Sequence, residues 1–396
     1  MGAPLTLLFL ARGTRDFGDG FVAVLLPLHL LRLGFSAFEV GALAGTALLG
    51  SALLTLAIGH LGTRHDLRRL LLCAAGLMTA TGLALSLVDA YAPLLVVAFV
   101  GTINPSGGSA SAFVPIEHAV MTREATDADR TRVFARYSLV GALAGAGGAL
   151  AASLPDFLVR AGASEPSATK AMFLLYAALG LGGGLLYACV PRRPPPPEQA
   201  AGAALGPSRK IVYKLAALFS LDAFAGGFVV QSLLALWLFQ RFDLSLSQAS
   251  LFFFWTGVLS AFSFPVAAWL AARIGLVNTM VFTHIPSSAC LIAAAFAPSL
   301  PLTLGLLLAR AALSQMDVPT RSSYVMAVVT PPERAAAASF TSVPRSLASS
   351  LSPALAGALF ALSWPAAPLV ICGSLKIVYD LLLLRQFRHL KPPEES

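Results

Sequence analysis

Within eight residues of an otherwise apolar stretch the chain reads Arg12-Gly-Thr-Arg15-Asp16-Phe-Gly-Asp19. On a helix, Arg12, Asp16 and Asp19 fall near one face at i, i+4 and i+7, and Arg15 reaches Asp19 by the same i, i+4 spacing. Two chemistries fit such a set. The four charges can neutralise one another as a structural ion-pair group, or Asp16 or Asp19 can be desolvated enough to bind and release a proton. A second acid, Asp222, stands in a later apolar stretch with Gln231 beyond it and no basic residue beside it there. Its partner must come from elsewhere, or it must be neutral, unless it lies wet and ionised near the end of that stretch. A third set, Arg310, Gln315, Asp317 and Arg321, surrounds Pro319. A guanidinium there can fork onto a carboxylate or phosphate of an anionic solute, or pair with an aspartate across helices. Asp16, Asp19 and Asp222 are thus the proton-coupling candidates. Arg15, Asn104, Gln231, Arg310, Gln315 and Asp317 are the substrate candidates. Arg136, Arg345, Lys376 and Asp380 are unranked charges in similar surroundings, and His29, His118 and His284 are isolated histidines of the kind that is more often structural.

These charges matter because of what surrounds them. Of the 396 residues, 57% are apolar and only 12% charged, and the mean hydropathy of +0.78 lies outside the range of soluble domains. The solvent is therefore lipid, where a charge at mid-span costs about 2.5–3.5 kcal/mol on insertion scales and needs a partner, a wet cavity or a function. A helical crossing takes roughly 20 apolar residues. The long continuous runs exclude the short alternating segments of a barrel. Twelve spans fit: 5–31, 38–59, 70–88, 93–116, 134–153, 170–190, 213–239, 249–271, 276–297, 301–326, 336–362 and 365–384. The apolar start before Arg12 lacks the charged and small-residue flanks of a cleaved signal, so it reads as the beginning of the first retained helix. Sixteen Lys and Arg flank the spans on one side and four on the other, which predicts both termini in the cytoplasm. The net charge of +8 is thus an orientation signal and not a nucleic-acid footprint. Four scattered cysteines without a paired spacing read as core packing.

The proline run Pro191-Arg-Arg-Pro-Pro-Pro-Pro197 is extended and cannot pack as helix. It divides the chain into residues 1–190, a linker at 191–212, and residues 213–396. The halves look alike. Gly20-Phe21 matches Gly227-Phe228, Ser36 and Glu39 match Ser245 and Gln248, Val114-Pro115-x-Glu117 matches Val318-Pro319-x-Arg321, and Asp129-Arg130 matches Glu333-Arg334, all in order. This collinearity predicts a duplication: an all-α membrane protein of twelve transmembrane helices in two pseudo-symmetric six-helix bundles. Opposite charges at the equivalent positions Glu117 and Arg321 suggest a latch between the halves, and Asp129, Arg130, Glu333 and Arg334 suggest paired gate elements.

Gly59, Leu61, Arg64 and Arg68, between spans two and three, resemble the G-x-L-x-D-R-x-G-R-[RK] signature of the major facilitator superfamily. Thr63, Asp66 and Leu67 depart from it. In span five, Gly141-x3-Gly145-Ala146-Gly147-Gly148 is similar to the glycine-rich signature of that family's proton-coupled exporters, with Ala146 where proline is expected. Close helix packing through small residues explains the same run. Gly101 and Asn104 stand where the span-four signature would carry arginine and glutamine. The resemblance implies a secondary transporter working by alternating access, with Arg64 and Arg68 at or near its gates. It also implies a small-molecule substrate, proton exchange with efflux, and function as a monomer in the bilayer. An organic-anion symporter or uniporter is the alternative within transport; a non-transporting receptor or assembly protein is the alternative outside it. No phosphate loop, metal-ligand cluster or nucleophile–base set is present, so no enzyme activity and no cofactor or metal is expected. The preference for Arg over Lys with abundant Ala and Gly points to a GC-rich bacterial source and hence an inner membrane.

The charge asymmetry generates a direct test. In a cysteine-free background, an impermeant thiol reagent applied from outside should label Gly162→Cys and Phe242→Cys and leave Asp66→Cys and Ala200→Cys untouched; labelling at 200 would reverse the topology.

Overall fold

Long apolar runs become helices here because lipid offers backbone groups no other partner. The computed structural model describes residues 3–61, 66–106, 111, 113–124, 130–192, 205–330 and 333–390, and every element among them is helical. The first half carries α1 (Ala3–Arg32), α2 (Ala37–Leu61), α3 (Leu67–Leu87), α4 (Tyr91–Val100), α5 (Phe113–Glu124), α6 (Arg130–Ala151), α7 (Leu154–Arg160) and α8 (Glu165–Ala188). The second carries α9 (Arg209–Gly227), α10 (Gln231–Phe242), α11 (Leu246–Ile274), α12 (Leu276–Phe296), α13 (Leu300–Ser314), α14 (Asp317–Val328), α15 (Arg334–Ala361) and α16 (Ala367–Phe387). Among the described residues, 8 helical stretches are long and apolar enough to cross a membrane. The remaining expected crossings are α1, α4 with α5, α13 with α14, and α15, which are the charged or interrupted ones.

Spans four, seven and ten are each broken into two helices. In span ten, α14 restarts at Asp317 with Pro319 in its first turn, where a missing N–H leaves no acceptor unsatisfied. In span four, the buried Asn104 side-chain oxygen accepts from the Ser106 N–H at 3.1 Å and holds the chain in a turn. The first turn of α10 is secured by the Ser232 N–H donating to the Pro105 carbonyl at 3.0 Å. Irregular backbone at this depth survives because protein groups satisfy it. The matched pairs at the start of spans two and eight are capping boxes: Ser36 N–H donates to Glu39 Oε2 at 2.7 Å, and Ser245 N–H to Gln248 Oε1 at 3.1 Å.

The chain forms two compact units, residues 1–197 with 230–257, and residues 198–229 with 258–396. Inside the first, α1 packs on α6 and α8, and α3 on α8. Inside the second, α9 packs on α15 and α16, and α12 on α16. This is the same set of span pairs, one, five, six and three against seven, eleven, twelve and nine, so the duplication read from the sequence is repeated in the packing. Large apolar side chains such as Leu185 (64% exposed) and Phe262 (62%) remain uncovered on the helices, as a lipid-facing surface requires.

The α1–α6 crossing depends on glycine. A methyl group at Gly148 would lie 1.9 Å from the Phe17 carbonyl oxygen, and one at Gly20 would lie 2.2 Å from that of Gly145. At Gly141 it would strike Arg12 Nε and Asp16 Oδ2, both at 2.5 Å. The span-five glycines therefore let α1 approach and make room for its charges. Gly148→Ala should destabilise the purified protein by about 1–3 kcal/mol, the usual cost of overpacking. Gly147→Ala, whose methyl would sit 3.8 Å from the Phe17 ring, should be tolerated. Equal melting temperatures for the two variants would remove the packing role.

Candidate functional site

Each unit buries one cluster of charges, and each cluster is organised by the first helix of its half. In the first, Arg12 Nε lies 2.7 Å from Asp16 Oδ2 and Arg15 Nε lies 3.4 Å from Asp16 Oδ1. Arg15 Nη1 also pairs with Glu117 Oε2 of α5 at 2.9 Å. Glu117, fully buried, accepts further from the hydroxyls of Tyr187, at 2.6 Å, and Tyr137. The Arg15 guanidinium stacks 4.7 Å above the Phe113 ring, and Arg12 lies at 4.7 Å over that of Tyr137. Asp19 stands apart. It accepts from the Tyr176 hydroxyl at 3.0 Å, and Tyr176 in turn meets the Thr102 hydroxyl at 3.1 Å. The helical spacing of Arg15 and Asp19 led to the expectation of a direct pair, but Arg15 is drawn to Glu117 instead.

In the second cluster Asp222 is not isolated. Lys376 Nζ of α16 lies 2.6 Å from Asp222 Oδ1 and Arg321 Nη1 of α14 lies 3.1 Å from Oδ2, so its cations come from other spans. Arg321 is shared with Asp317 at 2.9 Å, an i, i+4 pair. His284 of α12 places Nδ1 3.1 Å from both oxygens of Asp380, while its Nε2 lies 3.3 Å from Lys376 Nζ. All these acids, with Arg321 and His284, are buried.

Glu117 and Arg321, the residues read as a latch, each join a local pair within their own unit. Arg15 on α1 meets Glu117 on α5, and Asp222 on α9 meets Arg321 on α14. Asp222 follows Arg15 by the same interval that separates Gly227 from Gly20, so the two halves bury one ion pair at equivalent positions with its polarity reversed. Glu117 meets Arg15, and Arg321 meets Asp222 and Asp317, inside their own units.

The sequence profile of the Major Facilitator Superfamily matches residues 8–239 and again 215–396. The chain belongs to the Major Facilitator Superfamily. A membrane protein of Saccharomyces cerevisiae, the uncharacterized YJR124C, is 24% identical over 420 residues, covering 97% of this chain and 94% of the yeast protein. The crystal structure of the nucleoside transporter NupG aligns with 98% of this chain and 100% of its own, with a TM-score of 0.73 and 14% identity. The inward-open xylose transporter XylE from E. coli aligns over 96% of each chain, with a TM-score of 0.73 and 15% identity. Such likenesses show the superfamily fold and an integral multi-pass membrane protein; they carry no substrate.

Of the superfamily signature after α2, Arg64 lies outside the described residues. Arg68 donates to the Ala188 carbonyl at the end of α8, and Asp66 caps α3 through the Arg68 N–H at 3.1 Å. Asp129 and the side chain of Arg130 also lie outside the described residues. Glu333 accepts from Thr330 Oγ1 at 2.6 Å and from the N–H groups of Gly206 and Ser208. Hydrogen bonds from Ser208, Thr330 and Gly206 hold its carboxyl down at about 2, so it stays ionised at physiological pH and ties the end of the linker to the start of α15. Arg334, exposed, donates to the Met326 carbonyl at 3.0 Å. Gln231 and Gln315 sit at the breaks in spans seven and ten. Arg310 has no ion pair among the described residues, although its carbonyl accepts from Ser287 Oγ at 3.3 Å. Sequence reasoning missed Tyr137, Tyr176 and Tyr187, which complete the first cluster. Buried tyrosines in apolar spans carry no spacing signal; the only clue was that each needs a partner for its hydroxyl.

Proposed function

We propose that the chain is a secondary transporter that moves a small organic solute by alternating access and exchanges it for protons, in the export direction. Asp19 carries the reading. A group that changes charge during a cycle needs a partner that serves both forms. A hydroxyl donates to a carboxylate and accepts from the acid, whereas a guanidinium serves only the anion. Asp16, Glu117 and Asp222 each face a cation, while the described side-chain partner of Asp19 is the Tyr176 hydroxyl. The first cluster also holds three carboxyls against two guanidinia, so one proton makes it neutral. His118 is the nearby group that could compete for that proton; its ring packs edge-on against Phe134 and Tyr137. Export rests on the resemblance of the span-five glycines to the exporter signature, and placement in a bacterial inner membrane with cytoplasmic termini rests on composition and charge asymmetry.

One observation favours the second reading, an organic-anion carrier. Arg310 and Arg345 have no ion pair among the described residues, and a carboxylate or phosphate solute would supply one.

A growth screen of an overexpressing strain against toxic compounds supplies the solute, and reconstituted liposomes then separate coupling from binding. Asp19→Asn should abolish accumulation driven by a pH gradient and preserve counterflow at equal pH. Asp16→Asn should instead cost about 3–5 kcal/mol of stability by leaving Arg12 buried without its carboxylate. Retention of gradient-driven accumulation by Asp19→Asn would exclude coupling through Asp19.

A further inference from the structure

The hydrogen bonds around His284 restrict what its ring can be. Nδ1 faces both oxygens of Asp380, and against an ionised Asp380 it carries a proton, since a lone pair there would oppose a carboxylate. Nε2 faces Lys376 Nζ at 3.3 Å, and an ammonium can only donate. With Lys376 in this seat, Nε2 must therefore offer its lone pair. The ring is neutral, with its hydrogen on Nδ1, clamped between an acceptor on one side and a donor on the other.

A second acceptor waits at Nε2. Asp222 Oδ1 lies 3.9 Å from it, and the same oxygen accepts from Lys376 at 2.6 Å. A proton on Nε2 would repel the ammonium and point an N–H toward Asp222. The Lys376 contact and the Nε2 proton thus exclude each other, and Asp222 serves whichever cation is present. We infer that His284 is a second proton-binding site of this chain, in which a proton taken from water onto Nε2 displaces the Lys376 ammonium from the ring and is returned to water when Lys376 re-seats.

The charged surroundings fit a site that holds one exchangeable proton. Asp222 faces it from α9, Arg310 lies on α13, Arg321 and Asp317 on α14, Arg345 on α15, and Lys376, Asp380, Tyr379 and Cys372 on α16. Asp222, Asp317 and Asp380 face Arg321, Arg345 and Lys376, and Arg310 beside Cys372 adds one positive charge while His284 is neutral. A proton on Nε2 adds a further positive charge beside Lys376, which is why the two exclude each other at the ring. Histidine is suited to the task because its ordinary charge change falls between pH 5 and 8. The inference deepens the proton-exchange reading and rests on it only for the coupling to transport, not for proton binding itself.

The test uses the full chain in lipid nanodiscs with 15N-labelled histidine, without any solute. The His284 signals are identified by their loss in His284→Gln, or in His284→Asn if that variant misfolds. At alkaline pH the native spectrum should show the Nδ1–H neutral ring, and acid titration should convert it to the doubly protonated ring. Lys376→Gln, which removes the ammonium that excludes the Nε2 proton, should show the doubly protonated ring at a pH where the native protein still shows the neutral one. An Nε2–H neutral ring, a ring that never protonates before the protein unfolds, or an unchanged midpoint in Lys376→Gln would overturn the inference. Liposome flux of His284→Gln, with the solute found by the screen, separates the two proposals. A silent His284 with uncoupled Asp19→Asn defeats this site alone; a titrating His284 with fully coupled Asp19→Asn defeats the α1 site alone.

Discussion

A charge that cannot reach water must find its counter-charge within the same bundle, and that constraint organises this protein. Arg15 with Glu117 and Asp222 with Arg321 are the same buried contact in two halves, written with opposite signs. Neither pair is cheap to bury, since desolvation of both ions offsets much of their attraction. What makes each tolerable is the set of additional partners. Tyr137 and Tyr187 complete Glu117, and Lys376 completes Asp222. Removing one member would leave the rest uncompensated.

The reversal of polarity has a chemical consequence. In the first cluster the surplus is acidic, and it falls on Asp19, whose partner is a hydroxyl. In the second, Asp222 and Asp317 are met by Arg321 and Lys376, and the proposed group is His284, between Asp380 and Lys376. The two proposals thus place one proton acceptor in each half, a carboxyl in the first and an imidazole in the second. The helices can hold these groups close because the first span of each half meets the fifth at small residues: Gly20 against Gly145, and Gly227 against Ser352.

Much of the fold was legible. The length and continuity of the apolar runs set the spans, and the collinear matches set the repeat, down to the Ser36–Glu39 and Ser245–Gln248 boxes, because capping and close packing are local demands. The site was legible only in part. Arg12, Arg15 and Asp16 were found as a set because helical spacing brings them together, whereas the choice of Arg15 for Glu117 over Asp19 is decided by a residue 102 positions away. Asp222 read as lacking a cation for the same reason: Lys376 and Arg321 reach it from spans that no local pattern connects. The pairing His284–Asp380 joins α12 to α16 and leaves no trace in the spacing of either helix.

The central claim is that the inverted ion pairs hold each half together, and a double-mutant cycle on Arg15 and Glu117 measures it. Thermal unfolding of the nanodisc-embedded protein should show Arg15→Met and Glu117→Gln each destabilising by about 3–5 kcal/mol, the usual cost of orphaning a buried charge. The double variant should lose less than the two together, with a coupling of about 0.5–3 kcal/mol. Strictly additive losses would contradict the account.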